Sequence, residues 1–94
     1  MAEVRNNPAL SRYEMVVDGV TAFIEYRREG DVLALTHTEV PKALSGRGVG
    51  SALARGTLNR IRAAGQTIRP LCPFIAAFIQ RHPDDADLVA ADRG

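Results

Sequence analysis

Residues rich in β-branched and aromatic side chains fill positions 13–40 and are interrupted twice by turn residues, while beyond Pro41 the apolar positions recur at helical spacing. The first interruption, Asp18-Gly19, separates residues 13–17 from residues 20–28 and is the strongest short-range hairpin signal a sequence offers. The second, Glu29-Gly30-Asp31, leads into residues 32–40, so three antiparallel strands in a meander are predicted. Along Val32-Leu33-Ala34-Leu35-Thr36-His37-Thr38-Glu39-Val40 the character drifts from apolar to polar, which points the far end of this strand at a site or at solvent. Pro41 cannot donate to a ladder and ends its pairing.

Over residues 48–64 a helix would carry Gly50, Leu53, Ala54, Thr57, Leu58, Ile61 and Ala64 on one side and Ser51, Arg55, Asn59 and Arg62 on the other. Gly65 supplies its stop. Gly56 within it costs about 1 kcal/mol relative to alanine, so close packing against the sheet is expected there. Residues 66–71 read as a short strand, Pro73 opens a helix over 74–81 that Pro83 breaks, and residues 84–90 add one or two helical turns. The predicted order is β-β-β-α-β-α, an α+β fold whose β-α-β crossover, right-handed by the usual rule, sets the last strand parallel to the third. Residues 1–10, polar and containing Asn6, Asn7 and Pro8, are expected to be a flexible N-terminus, and 11–91 a single domain.

Ninety-four residues, 46% of them apolar, suffice for one thin core and no second domain. Twelve basic side chains nearly cancel eleven acidic ones, yet no Asp or Glu falls between Val40 and Pro83, where Lys42, Arg47, Arg55, Arg60, Arg62, Arg69 and Arg81 all lie. Some of these arginines read as a solvated helix face, but a basic middle also suits a phosphorylated ligand. One cysteine excludes an internal disulfide. No N-terminal apolar run or Cys/His cluster suggests secretion, a membrane span or structural zinc, so a cytoplasmic chain without a metal site is expected.

From Val40 to Ser51 the chain reads V-P-K-A-L-S-G-R-G-V-G-S, the outline of a phosphate-binding turn between a strand and a helix. Glycines at 46, 48 and 50 leave the backbone without Cβ obstruction. The first amides of the following helix lack intrahelical acceptors and point forward with the positive pole of the macrodipole, where an anionic group can sit.

Ser45-Gly46-Arg47-Gly48-Val49-Gly50 resembles the Gln/Arg-x-x-Gly-x-Gly/Ala motif of the GNAT superfamily of N-acetyltransferases. His37-Thr38-Glu39-Val40-Pro41, Leu71-Cys72-Pro73-Phe74, and Arg81-His82-Pro83 followed by Asp87-Leu88-Val89 are similar to further pieces found in its small single-domain, YjdJ-like group. The resemblance runs from Tyr13 to Val89 and implies a minimal GNAT fold with an acetyl-CoA site, the third and fourth predicted strands splaying to admit the pantetheine arm. It implies that Arg47, Gly48, Val49, Gly50 and Ser51 bind the pyrophosphate through their amides, and that Val40 pairs through its main chain with pantetheine. Two departures stand out: Ser45 occupies the position usually held by Gln or Arg, leaving Arg47 or Lys42 to compensate, and Phe78 lies where many larger members place a proton-donating tyrosine.

Acetyl transfer from a thioester to an amine needs the amine deprotonated, the oxyanion stabilised and a proton delivered to the leaving thiolate. Cys72, at a predicted strand end and near a helix N-terminus, is a candidate nucleophile or acid; as a lone cysteine it is equally a small buried hydrophobe. His37 and Glu39 share one strand face and are candidates for accepting the amine proton, or are polar residues at a solvated strand end. His82 is read as a local helix-end bond, Phe74 and Phe78 as core or as channel lining. Because Asp18-Gly19 joins the first two strands directly, where larger superfamily members insert helices that shape the acceptor site, the acceptor pocket is expected to be open or completed by another chain. That favours weak selectivity or an amine on a protein, with the chain a monomer or weak homodimer. A noncatalytic acyl-CoA-binding regulatory module is the alternative; a nucleic-acid-binding role is disfavoured by 5% aromatic content without aromatic-basic interleaving.

Overall fold

The computed structural model describes residues 2–91. Five strands form one mixed sheet in the order β1 (Arg5–Asn7), β2 (Arg12–Val17), β3 (Val20–Glu29), β4 (Val32–Glu39) and β5 (Thr67–Pro70). The first four are antiparallel and β5 runs parallel to β4, as the crossover predicts. Asp18 and Gly19 turn the β2–β3 hairpin with φ of 51° and 76°, the positive values a type I′ turn demands.

Helix α1 (Val49–Ala63) packs over β2 and β3, and α2 (Pro73–Arg81) over β4 and β5. Both lie on the same face, where Tyr13, Met15, Ala22, Ile24, Leu33, Leu35 and Ile68 meet Leu53, Leu58, Ile61, Ile75 and Phe78 in one continuous core. Among the described residues no helix covers the other face, which carries Arg12, Glu14, Phe23, Glu25, Arg27 and Arg69. Ala64, expected on the buried side of α1, follows its last residue and is exposed.

Two expectations need correction. Residues 5–7, within the segment expected to be flexible, form the edge strand β1, paired Arg5↔Glu14 and Asn7↔Arg12; Met1 lies outside the described residues. What holds this segment is Val4, buried against α1: a Cβ on Gly56 would stand 2.4 Å from Val4 Cγ2. Gly56 therefore makes room for the N-terminal segment, and the close approach inferred from it is real but has a different partner. The helical turns expected after Pro83 take the form of a 3-10 helix, Pro83–Leu88, after which Val89 bridges Ile68 in parallel.

Arg55, expected opposite the apolar side of α1, is engaged in an ion pair. Its guanidinium holds Asp85 through two bonds, Nη1 to Oδ1 at 2.9 Å and Nη2 to Oδ2 at 2.7 Å, and Asp85 is buried. Arg62 Nη2 adds a longer contact of 3.4 Å to Asp85, while Arg62 also pairs with Asp87 at 2.7 and 3.0 Å. The arginine side of α1 thus clamps the segment after α2. These bonds hold Asp85 and Asp87 below the usual carboxylate range, and Arg55 and Arg62 are correspondingly raised.

Candidate active site

The pairing of β4 with β5 runs from Val32↔Thr67 to Leu35↔Pro70 and then stops. Cys72 makes the last connection, its amide donating to Leu35 O at 2.8 Å, before the chain turns away into α2 with Pro73 at its first position. Beyond Leu35, β4 continues to Glu39, and among the described residues no strand lies beside it on that side. Pairing between the two segments therefore ends where the resemblance implies a splay.

A bulge decides what faces the gap. Tyr26 pairs with Leu35 but Glu25 pairs with His37, so Thr36 is an extra residue in β4, its hydroxyl donating to Glu25 O at 3.3 Å. The bulge shifts side-chain parity by one. Without it, His37 would follow Leu33 and Leu35 onto the helix face; with it, Thr38 and Val40 take that face and His37 and Glu39 turn to the bare one. There His37 Nε2 lies 3.1 Å from Glu39 Oε1, and its ring meets Phe23 edge-on at 6.4 Å.

On the helix side, Thr38 Oγ1 and Cys72 Sγ lie 3.2 Å apart, bridging β4 and the start of α2 across the divergence. Cys72 is the N-cap residue of α2, with a side chain that caps no amide, and only 4% of its surface is exposed. His37 and Glu39 thus form one group and Cys72 with Thr38 another, on opposite faces of the strand that carries three of them. Thr38 was not singled out from the sequence. Its signal is its place between His37 and Glu39, which puts it on the face of Val40 by alternation alone.

The glycine loop stands beside this gap. After a 3-10 turn at Lys42–Leu44, Gly46 and Gly48 adopt φ of 75° and 73°, and Gly48 is the N-cap of α1. Gly50 serves differently: a Cβ there would lie 3.0 Å from Phe74 Cζ and 3.6 Å from Val40 Cγ2, so its hydrogen admits the half-buried Phe74 ring. Among the described residues the amides of Gly46, Arg47, Gly48, Val49, Gly50 and Ser51 have no acceptor, and the first intrahelical bond is Ala52 N to Gly48 O at 3.1 Å. Six successive donors without a backbone bond thus stand at the positive pole of α1.

Side chains add less charge here than the basic middle suggests. Arg47 Nη1 pairs with Asp18 Oδ2 at 2.8 Å, tying the loop to the β2–β3 turn. Arg55 and Arg62 belong to the Asp85 clamp and Arg69 bonds Glu29 at 2.9 Å. Lys42 has no ion pair among the described residues. Phe78 is core and stacks at 4.0 Å on His82, whose Nδ1 donates to Phe78 O at 2.9 Å, so both are structural; Phe74 alone of the two phenylalanines reaches the gap.

The family model described as GCN5-related N-acetyltransferase matches residues 12–88, and the chain belongs to that family. Its structure is similar to the solution structure of a GCN5-like candidate N-acetyltransferase from Staphylococcus aureus, with a TM-score of 0.72 at 21% identity, covering 98% of this chain and 91% of that one. At that identity the likeness establishes the shared fold. A search of curated proteins finds no match. Among the described residues no helix is long and apolar enough to cross a membrane.

Proposed function

We propose that the chain is an acetyl-CoA-dependent N-acetyltransferase whose acceptor amine approaches the bare face of the sheet. The observation that carries this reading is the run of six unengaged amides from Gly46 to Ser51 beside the divergence of β4 and β5. A diphosphate needs several convergent N–H donors, and Arg47, Gly48, Val49, Gly50 and Ser51 supply them from the backbone at a helix N-terminus. The main chain of Val40 is available to the pantetheine amides, with Phe74 and Val40 as apolar walls. Acetyl-CoA, when bound, supplies a thioester carbonyl activated toward amines.

Cys72 stands where the strands part, held by Thr38. Its thiol serves in one of two ways: as the acid that protonates the departing thiolate, or as a nucleophile that carries the acetyl group before the amine takes it. Either way a C–N bond replaces a C–S bond and the amine sheds a proton. His37, oriented by Glu39, is placed on the acceptor side to accept it. The uncovered face suits an amine borne on a protein, such as a lysine side chain or an N-terminus. One free thiol and no disulfide fit a cytoplasmic setting.

Calorimetric titration with acetyl-CoA and with S-acetylpantetheine tests the loop assignment. Removing the diphosphate is expected to weaken binding by about a hundredfold or more, since several charge-assisted bonds are lost; equal affinities would overturn it. Intact-mass analysis with a lysine peptide then tests transfer. Binding of acetyl-CoA with no acetyl transfer to any amine would select the noncatalytic acyl-CoA-binding module, which the deep burial of Cys72 favours.

A further inference from the structure

We propose that a second anion site, for a phosphate group, lies at the opposite end of α1 from the glycine loop. Helix α1 has 15 residues, so its two ends are about 22 Å apart at 1.5 Å per residue. At the far end a cleft of about 480 Å³ is lined by Asn6, Tyr13, Arg28, Asp31, Arg60 and Gln66, together with Ala64. No residue assigned to the coenzyme or to acetyl transfer takes part in it.

Its floor is Tyr13. This side chain is 4% exposed, its ring tilted against Tyr26 at 5.4 Å, and its hydroxyl has no hydrogen-bond partner among the described residues. The hydroxyl opens into the cleft rather than being sealed in the core, so it is free to donate to a ligand there. Burial first, and then Tyr26, raise its pKa, so it stays a neutral O–H donor. Around it the donors outnumber the acceptors. Asn6 Oδ1 already accepts from Tyr26 Oη at 2.8 Å, which leaves the Asn6 amide nitrogen to donate elsewhere. Arg28 has no ion pair among the described residues, and Arg60 has only a 3.4 Å contact with the exposed Glu3.

Among the lining residues two guanidinium groups face the single carboxylate of Asp31, with Glu3 against Arg60 outside the lining. The negative pole of α1 is muted there, because Ala64, Gly65 and Gln66 donate their amides to the carbonyls of Arg60, Arg62 and Ile61. A phenol, two guanidinium groups and the Asn6 and Gln66 amides line this one cleft, and the lining residues come from separate segments of the chain. That suits a tetrahedral oxyanion better than a planar carboxylate, whose acceptor sites lie in one plane.

The test is a two-dimensional amide NMR titration of the full chain with inorganic phosphate, ionic strength held constant with sodium chloride, and a parallel titration with acetate. Saturable shifts at Asn6, Tyr13 and Gln66 are expected, with affinity of order millimolar for phosphate and about tenfold weaker for acetate. Arg28→Gln and Tyr13→Phe should each weaken phosphate about tenfold at these amides, whereas Arg81→Gln should not, and acetyl-CoA affinity should be unchanged by Arg28→Gln. The spectrum of each variant reports whether it is folded, and Arg28 is exposed enough to be replaced without loss of core. Absent or non-saturating shifts at these amides, equal response in Arg28→Gln, or acetate binding as tightly as phosphate would each overturn the proposal.

Discussion

Replacing Asp85 with asparagine isolates the charge of the clamp between α1 and the segment after α2. The carboxylate is buried, with a side chain only 6% exposed, and bonds Arg55 at 2.9 and 2.7 Å and Arg62 at 3.4 Å. Removing one partner of a buried ion pair typically costs about 3–5 kcal/mol. The arginines are 40% and 44% exposed, so water recovers part of that and about 2 kcal/mol is the expected loss at neutral pH. For a domain of this size that lowers the melting temperature by roughly 10 °C.

The pH dependence supplies the sharper test. Arg55 holds Asp85 below its ordinary pKa, so its contribution is fully present above the unfolded value near 4 and is lost as pH falls through the depressed folded value. Glu14, Glu29 and Asp87 are depressed too, by Arg12, Arg69 and Arg62 respectively, but they remain in both proteins and cancel in the difference. Urea unfolding of wild type and Asp85→Asn should therefore show curves about 2 kcal/mol apart at pH 7 that converge in acid, where a protonated Asp85 resembles the amide. A gap that persists at the acid limit would mean that shape, not charge, holds the clamp.

Gly56→Ala gains about 1 kcal/mol of helix propensity but drives a methyl into Val4, 2.4 Å away. Loss of most of the roughly 2 kcal/mol from burying Val4 should leave the variant about 1 kcal/mol less stable, with hydrogen-exchange protection lost at β1; unchanged protection there would refute the packing argument. Thr57 Oγ1 is buried without a partner among the described residues, so Thr57→Val should stabilise by about 1 kcal/mol in urea unfolding, and destabilisation would reveal a missed bond. Cys72→Ser should cut acetyl-transfer turnover about a hundredfold or more while acetyl-CoA affinity holds within about threefold, and Thr38→Val about tenfold; full turnover in Cys72→Ser would remove the thiol from the chemistry.

The meander, the helix of residues 48–64 and the parallel return strand are legible in the sequence because their signals are local: a turn dipeptide, an apolar stripe, a glycine stop. The glycine loop is legible for the same reason, since Gly46 and Gly48 are demanded by positive φ and Gly50 by Phe74. What escapes local reading depends on partners distant in the chain. Val4 is anchored by a gap at Gly56, and Arg55 is engaged by Asp85, thirty positions on.

The bulge at Thr36 is the most consequential of these. Alternation correctly places His37 and Glu39 together, but nothing in the residues between Val32 and Val40 announces that the parity changes between Leu35 and His37. Strict alternation would bury His37 beneath α2 and expose Thr38. One inserted residue instead sends the histidine and glutamate to the uncovered face and aims Thr38 at Cys72. A single strand thereby presents His37 and Glu39 on one side and turns Thr38 toward Cys72 on the other, which is the arrangement the proposed transfer between a coenzyme on the helix face and an amine on the bare face calls for.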